Sequence, residues 1–134
     1  MPCELCKIIN EKYRIIEIND NAFCIVIKEP LNNGHVMVLP KRHVTDLSKL
    51  TPKESKDINK LIKSAEKKIN KHFDNDVVVF MNTKSHSSQK HLHFHVLPSK
   101  AGLREFMAKY ENIPEKKEKS KKELEEIKKN LLSK

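Results

Sequence analysis

The chain has no apolar run approaching the roughly 20 residues a helix needs to cross a bilayer. Nor does it open on a basic segment followed by a hydrophobic stretch. A membrane-spanning protein and a cleaved secretory leader are therefore not expected, and the sequence reads as a soluble, cytoplasmic protein with no membrane partner. Cysteine is scarce and odd in number, with Cys3, Cys6 and Cys24, which argues against a paired disulfide framework. A helix-turn-helix pattern, a second zinc motif and an aromatic stacking cluster are also missing, so nucleic acid is not expected as a partner. There is no internal repeat, and the only compositional bias is the Lys/Glu enrichment after Glu115.

What is present fits one domain, over residues 1–112, and a charged tail, over 113–134, within a chain of 134 residues. Lys and Arg number 27 against 18 Asp and Glu, a formal charge of +9. Such a surface attracts anions, nucleotides included, although solvated helix faces rich in Lys and Glu produce the same balance. Alternating and β-branched runs at Tyr13 to Ile18 and Ala22 to Ile27 flank the turn-tolerant Asn19-Asp20-Asn21 and predict a hairpin. After Gly34, His35 to Leu39 predicts a third strand, stopped by Pro40, which has no ladder donor. Val77 to Met81 and His91 to Leu97 supply two more, the last closed by Pro98.

Between the third and fourth strands Thr51 is set as an N-cap, Pro52 as the first helical residue and Glu54 as the return arm of a capping box. Ile58, Leu61, Ile62, Ala65 and Ile69 follow at helical spacing and make one face for packing on the sheet. A second helix is expected from about Pro114 to Leu132, with Leu124, Ile127 and Leu131 as a thin apolar stripe. The fold class is α+β: a five-stranded antiparallel sheet with one long packed helix and a C-terminal helix.

The last strand carries His91-Leu92-His93-Phe94-His95. Side chains alternate along a strand, so three imidazoles share one face at roughly 6.6 Å spacing while Leu92, Phe94 and Val96 share the other. Burial of the apolar set explains half of that pattern, and folding requires no histidines opposite it. Neutral imidazole offers a lone pair to zinc or to phosphorus and exchanges a proton near pH 7, so metal binding and phosphate chemistry both fit. At the N-terminus Cys3-Glu4-Leu5-Cys6 has the gap that lets two thiolates reach one metal ion. A tetrahedral site needs two further ligands, with His35, His43, His91, His93 and His95 as candidates. His72 and His86 sit in polar surroundings and default to incidental, and Cys24 in its apolar run to a buried thiol.

His91-Leu92-His93-Phe94-His95-Val96-Leu97 resembles the signature of the histidine triad superfamily, three histidines alternating with hydrophobic residues and followed by two more hydrophobic positions. The run from Gly34 through His35 and Pro40-Lys41-Arg42 to His43 is similar to the strand and exit that precede it there, as is Asn82 to the family's asparagine. The likeness covers residues 1 to about 105. It implies the sheet-and-long-helix fold, a homodimer, and a nucleotide substrate. It further implies a hydrolase or nucleotidyl transferase in which His93 attacks the α-phosphorus to give a covalent nucleotidyl-histidine that water resolves. By the same likeness His35 and His95 contact or position the phosphate, Asn82 bonds near the scissile group, and Ser88 and Gln89 supply further substrate contacts. The family's zinc-bearing branch implies Cys3, Cys6, His43 and His91 as ligands of a structural Zn2+. Ile27 stands where relatives carry an Asp or Asn for the ribose hydroxyls, so ribose recognition must come from elsewhere or the substrate differs. The segment His95 to Gly102 resembles the family's dinucleoside polyphosphate hydrolase branch more than its phosphoramidase branch, which implies dinucleoside polyphosphates or other nucleotidyl conjugates as substrates, with a nucleoside phosphoramidase or a low-turnover nucleotide-binding regulator as alternatives.

Overall fold

The structure, a computed structural model, describes residues 3–82, 90–112 and 118–133. It falls into two compact units, Met1–Lys100 and Ala101–Lys134. In the first, strands β1 (Ile15–Ile18), β2 (Ala22–Val26), β3 (Val36–Pro40), β4 (Asp76–Phe80) and β5 (Phe94–Ser99) form one antiparallel sheet in the order β1-β2-β3-β5-β4. Helix α1 (Glu4–Lys7) and two short 3-10 turns lead into β1, and the long helix α2 (Pro52–His72) separates β3 from β4.

Helix α2 begins as its sequence dictates. The Thr51 hydroxyl accepts from the Glu54 backbone N–H, the Glu54 carboxylate accepts from Thr51 N–H, and Pro52 occupies the first turn. Its buried face is Ile58, Leu61, Ala65 and Ile69, which pack with Ala22, Cys24, Val36, Val38 and Val96 from one side of the sheet. The other side holds a second apolar cluster of Phe23, Ile25, Met37 and Leu39, covered by Leu5, Cys3, Ile8 and Ile9 of the N-terminal segment. The sheet is therefore covered on both faces near β2 and β3, and alternation along each strand divides the clusters.

Beyond shifts of one or two residues at the ends of β1 to β4, with Pro40 the last residue of β3 rather than the one after it, four features differ from expectation. The last strand starts at Phe94, so His91 and His93 precede it. The β3–β5 ladder runs from Val36↔Val96 to Val38↔Phe94, and two steps further on Leu92 would face Pro40, which has no N–H to give. Leu92 N–H bonds the Val44 carbonyl instead, at 2.7 Å. Second, Pro98 does not close the strand, which continues to Ser99 with Pro98 opposite Val77 of β4. The flank of Pro98 toward β3 lies past the end of that ladder, where a proline costs no bond. Gly34 sits against that flank, and a Cβ on it would lie 2.7 Å from Pro98 Cγ and Cδ and 3.0 Å from the Phe73 ring.

The third and fourth differences are in the second unit. Its C-terminal helix, α4, spans Lys121–Leu132, later than the expected start at Pro114, because Ser120 and Glu123 make a complete capping box there. Pro114 itself lies outside the described residues. Helix α3 (Leu103–Tyr110) was not foreseen, although Leu103, Phe106, Met107 and Tyr110 have helical spacing. Among the described residues no helix is long and apolar enough to cross a membrane.

Candidate active site and metal centre

Three of the expected site histidines meet on the sheet face opposite α2. Register places His95 between Met37 of β3 and Phe80 of β4, and Phe80 stacks on the His95 ring with centroids 4.6 Å apart and planes 19° from parallel. His35, just before β3, is buried, and its Nε2 lies 2.8 Å from His95 Nδ1. The His93 and His95 rings meet edge to face, with centroids 4.9 Å apart.

Neighbouring groups determine where each proton sits. His93 Nδ1 is 2.8 Å from the His91 carbonyl oxygen, which can only accept, so Nδ1 carries the proton and the lone pair is on Nε2. His35 Nδ1 accepts from the Leu31 N–H at 3.0 Å, so His35 donates through Nε2 to His95 Nδ1. That leaves the His95 proton on Nε2. Burial holds both rings neutral: it lowers His35 and, with the repulsion His93 and His35 would exert when protonated, pushes His95 down to about 4. The result is one imidazole lone pair, on His93, beside one imidazole N–H donor, on His95. Such a pair suits attack on an anionic phosphorus, because a neutral nucleophile adds no repulsion and a fixed donor takes up charge on the phosphoryl oxygens.

The second constellation is Cys3, Cys6, His43 and His91, whose ligand atoms all lie within 4.8 Å of one another. Helix α1 puts the two thiols on one turn, with Cys3 at its N-cap. His43 follows β3, and His91 is fully buried. The sulfur-to-nitrogen distances are 3.6 Å for Cys3–His91, 3.3 Å for Cys6–His91 and 3.4 Å for Cys6–His43. A tetrahedral zinc with ordinary Zn–S and Zn–N bonds sets its sulfur and nitrogen ligands about 3.6 Å apart, so the set fits that ion. His91 Nε2 donates to the Pro40 carbonyl at 2.8 Å, which turns the Nδ1 lone pair toward the thiols, the second-shell arrangement usual for a ligating histidine. Burial, foremost, favours neutral His91, while burial and the neighbouring Cys3 raise the Cys6 thiol.

A family model described as "HIT domain" matches residues 10–102. The chain belongs to the HIT domain family. Among HIT relatives it is 29% identical over 101 residues to an adenosine 5'-monophosphoramidase, hnt1, of Schizosaccharomyces pombe, covering 73% of this chain and 74% of that one. It is also 29% identical over 82 residues to a bis(5'-adenosyl)-triphosphatase of Dictyostelium discoideum, covering 59% and 55%. The fold matches a zinc-bound histidine triad protein from Mycobacterium smegmatis with a TM-score of 0.64 and 24% identity, over 73% and 75% of the two chains.

The remaining expected site residues are less gathered. Asn82 is exposed, two residues past the Phe80 that stacks on His95. Ser88, Gln89 and His86 lie outside the described residues, and His72 is exposed at the end of α2. Ile27 packs with the apolar cluster of Phe23, Ile25 and Met37, one position beyond the last β2–β3 pair, Val26↔Val36, as His35 is on the partner strand. Sequence reasoning missed the backbone groups that orient the imidazoles, namely Leu31 N–H and the carbonyls of Pro40 and His91. No residue type marks them, since every residue but proline offers both groups.

Proposed function

We propose that this HIT protein is a nucleotide hydrolase or nucleotidyl transferase acting at the α-phosphate of dinucleoside polyphosphates or other nucleotidyl conjugates, with His93 as nucleophile. The observation that carries the reading is the bond from His93 Nδ1 to the His91 carbonyl, which commits the lone pair to Nε2. In the first step Nε2 bonds the α-phosphorus as the bond to the leaving group breaks; a polyphosphate leaves with that electron pair as its anion, and an amine leaving group takes a proton from solvent. In the second, water attacks the same phosphorus, its proton passes to solvent, the P–N bond breaks, and the electron pair returns to Nε2 with release of a mononucleotide. His95 Nε2–H donates to a non-bridging phosphate oxygen through both steps, with His35 holding its ring. Asn82, Ser88 and Gln89 are assigned to binding of the scissile region.

A zinc ion held by Cys3, Cys6, His43 and His91 is structural in this reading. It fixes His91, whose carbonyl orients the nucleophile. The homodimer belongs to the reading as well, with edge strand β4 and its exposed Val79 as the surface available for pairing. A nucleoside phosphoramidase is the second reading, favoured by the likeness to the S. pombe enzyme.

The test is to mix the protein with diadenosine and diguanosine polyphosphates and with adenosine phosphoramidates, quench within seconds, and weigh the intact chain. A nucleotidyl adduct is expected in the native protein and absent in His93→Ala, and the best donor names the substrate class. Turnover retained in His93→Ala would refute the assignment.

A further inference from the structure

Helix α2 carries far more positive charge than its packing requires. Its sequence holds seven lysines and three acidic residues, 7 − 3 = +4, nearly half of the chain's +9. Six of the lysines are at 53, 56, 60, 63, 67 and 71. At about 100° per residue these positions fall within an arc of about 80°, roughly opposite the buried Ile58, Leu61, Ala65 and Ile69, and they extend over about 27 Å of helix. All six are exposed. No ion pair among the described residues engages them, whereas the seventh, Lys68, lies off the row and is bound to Glu17 at 2.8 Å.

The acidic residues of α2 do not neutralise this row. Glu54 is buried and holds Arg42 at 2.8 Å. Asp57 accepts from the Asn21 side-chain amide at 2.8 Å and from its backbone N–H at 3.2 Å. Glu66 falls about 60° outside the arc on the same geometry. An isolated row of like charges is unfavourable in itself, since lysines three or four residues apart repel, so it is a feature that a ligand of opposite charge would repay.

We infer that this lysine row is a docking rail for the phosphodiester backbone of single-stranded nucleic acid, bound without regard to sequence. A straight series of flexible point charges at near-regular intervals matches a polymer with one negative charge per nucleotide. The absence of helix-turn-helix and aromatic features noted above speaks to base reading and stacking, and the rail uses neither. A lipid surface fits less well, because a helix that lies in a membrane must offer it an apolar face, and that face of α2 is buried against the sheet. The rail is on the side of the sheet away from His35 and His95, so it does not rest on the catalytic proposal and does not deliver substrate to that site.

The experiment titrates the full chain against a fluorescein-labelled oligo(dT) 20-mer, reading anisotropy between 50 and 200 mM salt. The native protein is expected to bind with a slope of log affinity on log salt approaching about −4, for six phosphates neutralised on a single strand. Lys56→Glu/Lys60→Glu/Lys63→Glu should weaken binding at least about tenfold and flatten the slope by about 2. The milder Lys→Gln triple at the same positions keeps the comparison should charge reversal unfold the helix. Lys121→Glu/Lys122→Glu/Lys128→Glu on α4 makes the same change in net charge and should alter affinity less than about twofold. Equal weakening by both charge reversals would overturn the proposal in favour of bulk charge. No binding by the native protein at 50 mM salt, or tighter binding to poly-aspartate or to phosphatidylserine vesicles than to the oligonucleotide, would overturn it as well. Hydrolysis of small nucleotides should be the same in all these variants.

Discussion

His91 serves two places with different atoms. Its ring turns toward Cys3 and Cys6, and its carbonyl oxygen holds the proton of His93. The identity of the three histidines was plain in the sequence, and so was the Cys3/Cys6 pair. Their tautomers were not, because the deciding partners are main-chain groups of Pro40, His91 and Leu31, brought near only by folding. The same burial that keeps His95 neutral has a thermodynamic cost. With the folded ring near 4 and the free ring near the ordinary histidine value of about 6.5, the unfolded chain binds the extra proton between those limits. Stability therefore falls as pH drops from about 6.5 to about 4 through this residue, and changes no further below that. Urea titrations from pH 7 to 4 should show a smaller decline in His95→Gln than in the native protein, and equal declines would count against the assigned shift.

At the level of elements, β1 to β3 and α2 were legible because each carries both its periodicity and its own stop or cap. The start of β5 was not, since the residue that ends its ladder is Pro40 on another strand. Helix α3 escaped notice despite regular apolar spacing, as it lacks a side-chain cap at Gly102. The crossing of β3 and β5 beyond their ladder rests on close approach at Gly34. Gly34→Ala would drive a methyl against Pro98 and Phe73, and should cost about 1–3 kcal/mol, the usual range for overpacking. A lower urea midpoint at unchanged m-value is the expected outcome. A variant as stable as the native chain would mean that Pro98 yields at little cost.

For the whole molecule, the family match covers residues 10–102 and stops short of Cys3 and Cys6, so the proposed zinc makes a separate claim. Purified protein should carry about one zinc per chain, lost in Cys6→Ser. A ligand that binds only the folded state at a hundredfold excess over its Kd stabilises by about 3 kcal/mol, so chelation should lower Tm by several degrees. A metal-free native protein of unchanged Tm would remove zinc from the account. The proposed ligands come from distant parts of the chain, His91 lying 88 positions after Cys3. That separation sets a schedule during synthesis. At roughly 5–20 residues per second, the thiols leave the ribosome roughly 4 to 18 seconds before His91 follows them. Until His43 follows they would be a two-ligand clip open to other metals and oxidants, and only the arrival of His91, the first histidine of the triad, would close the proposed site.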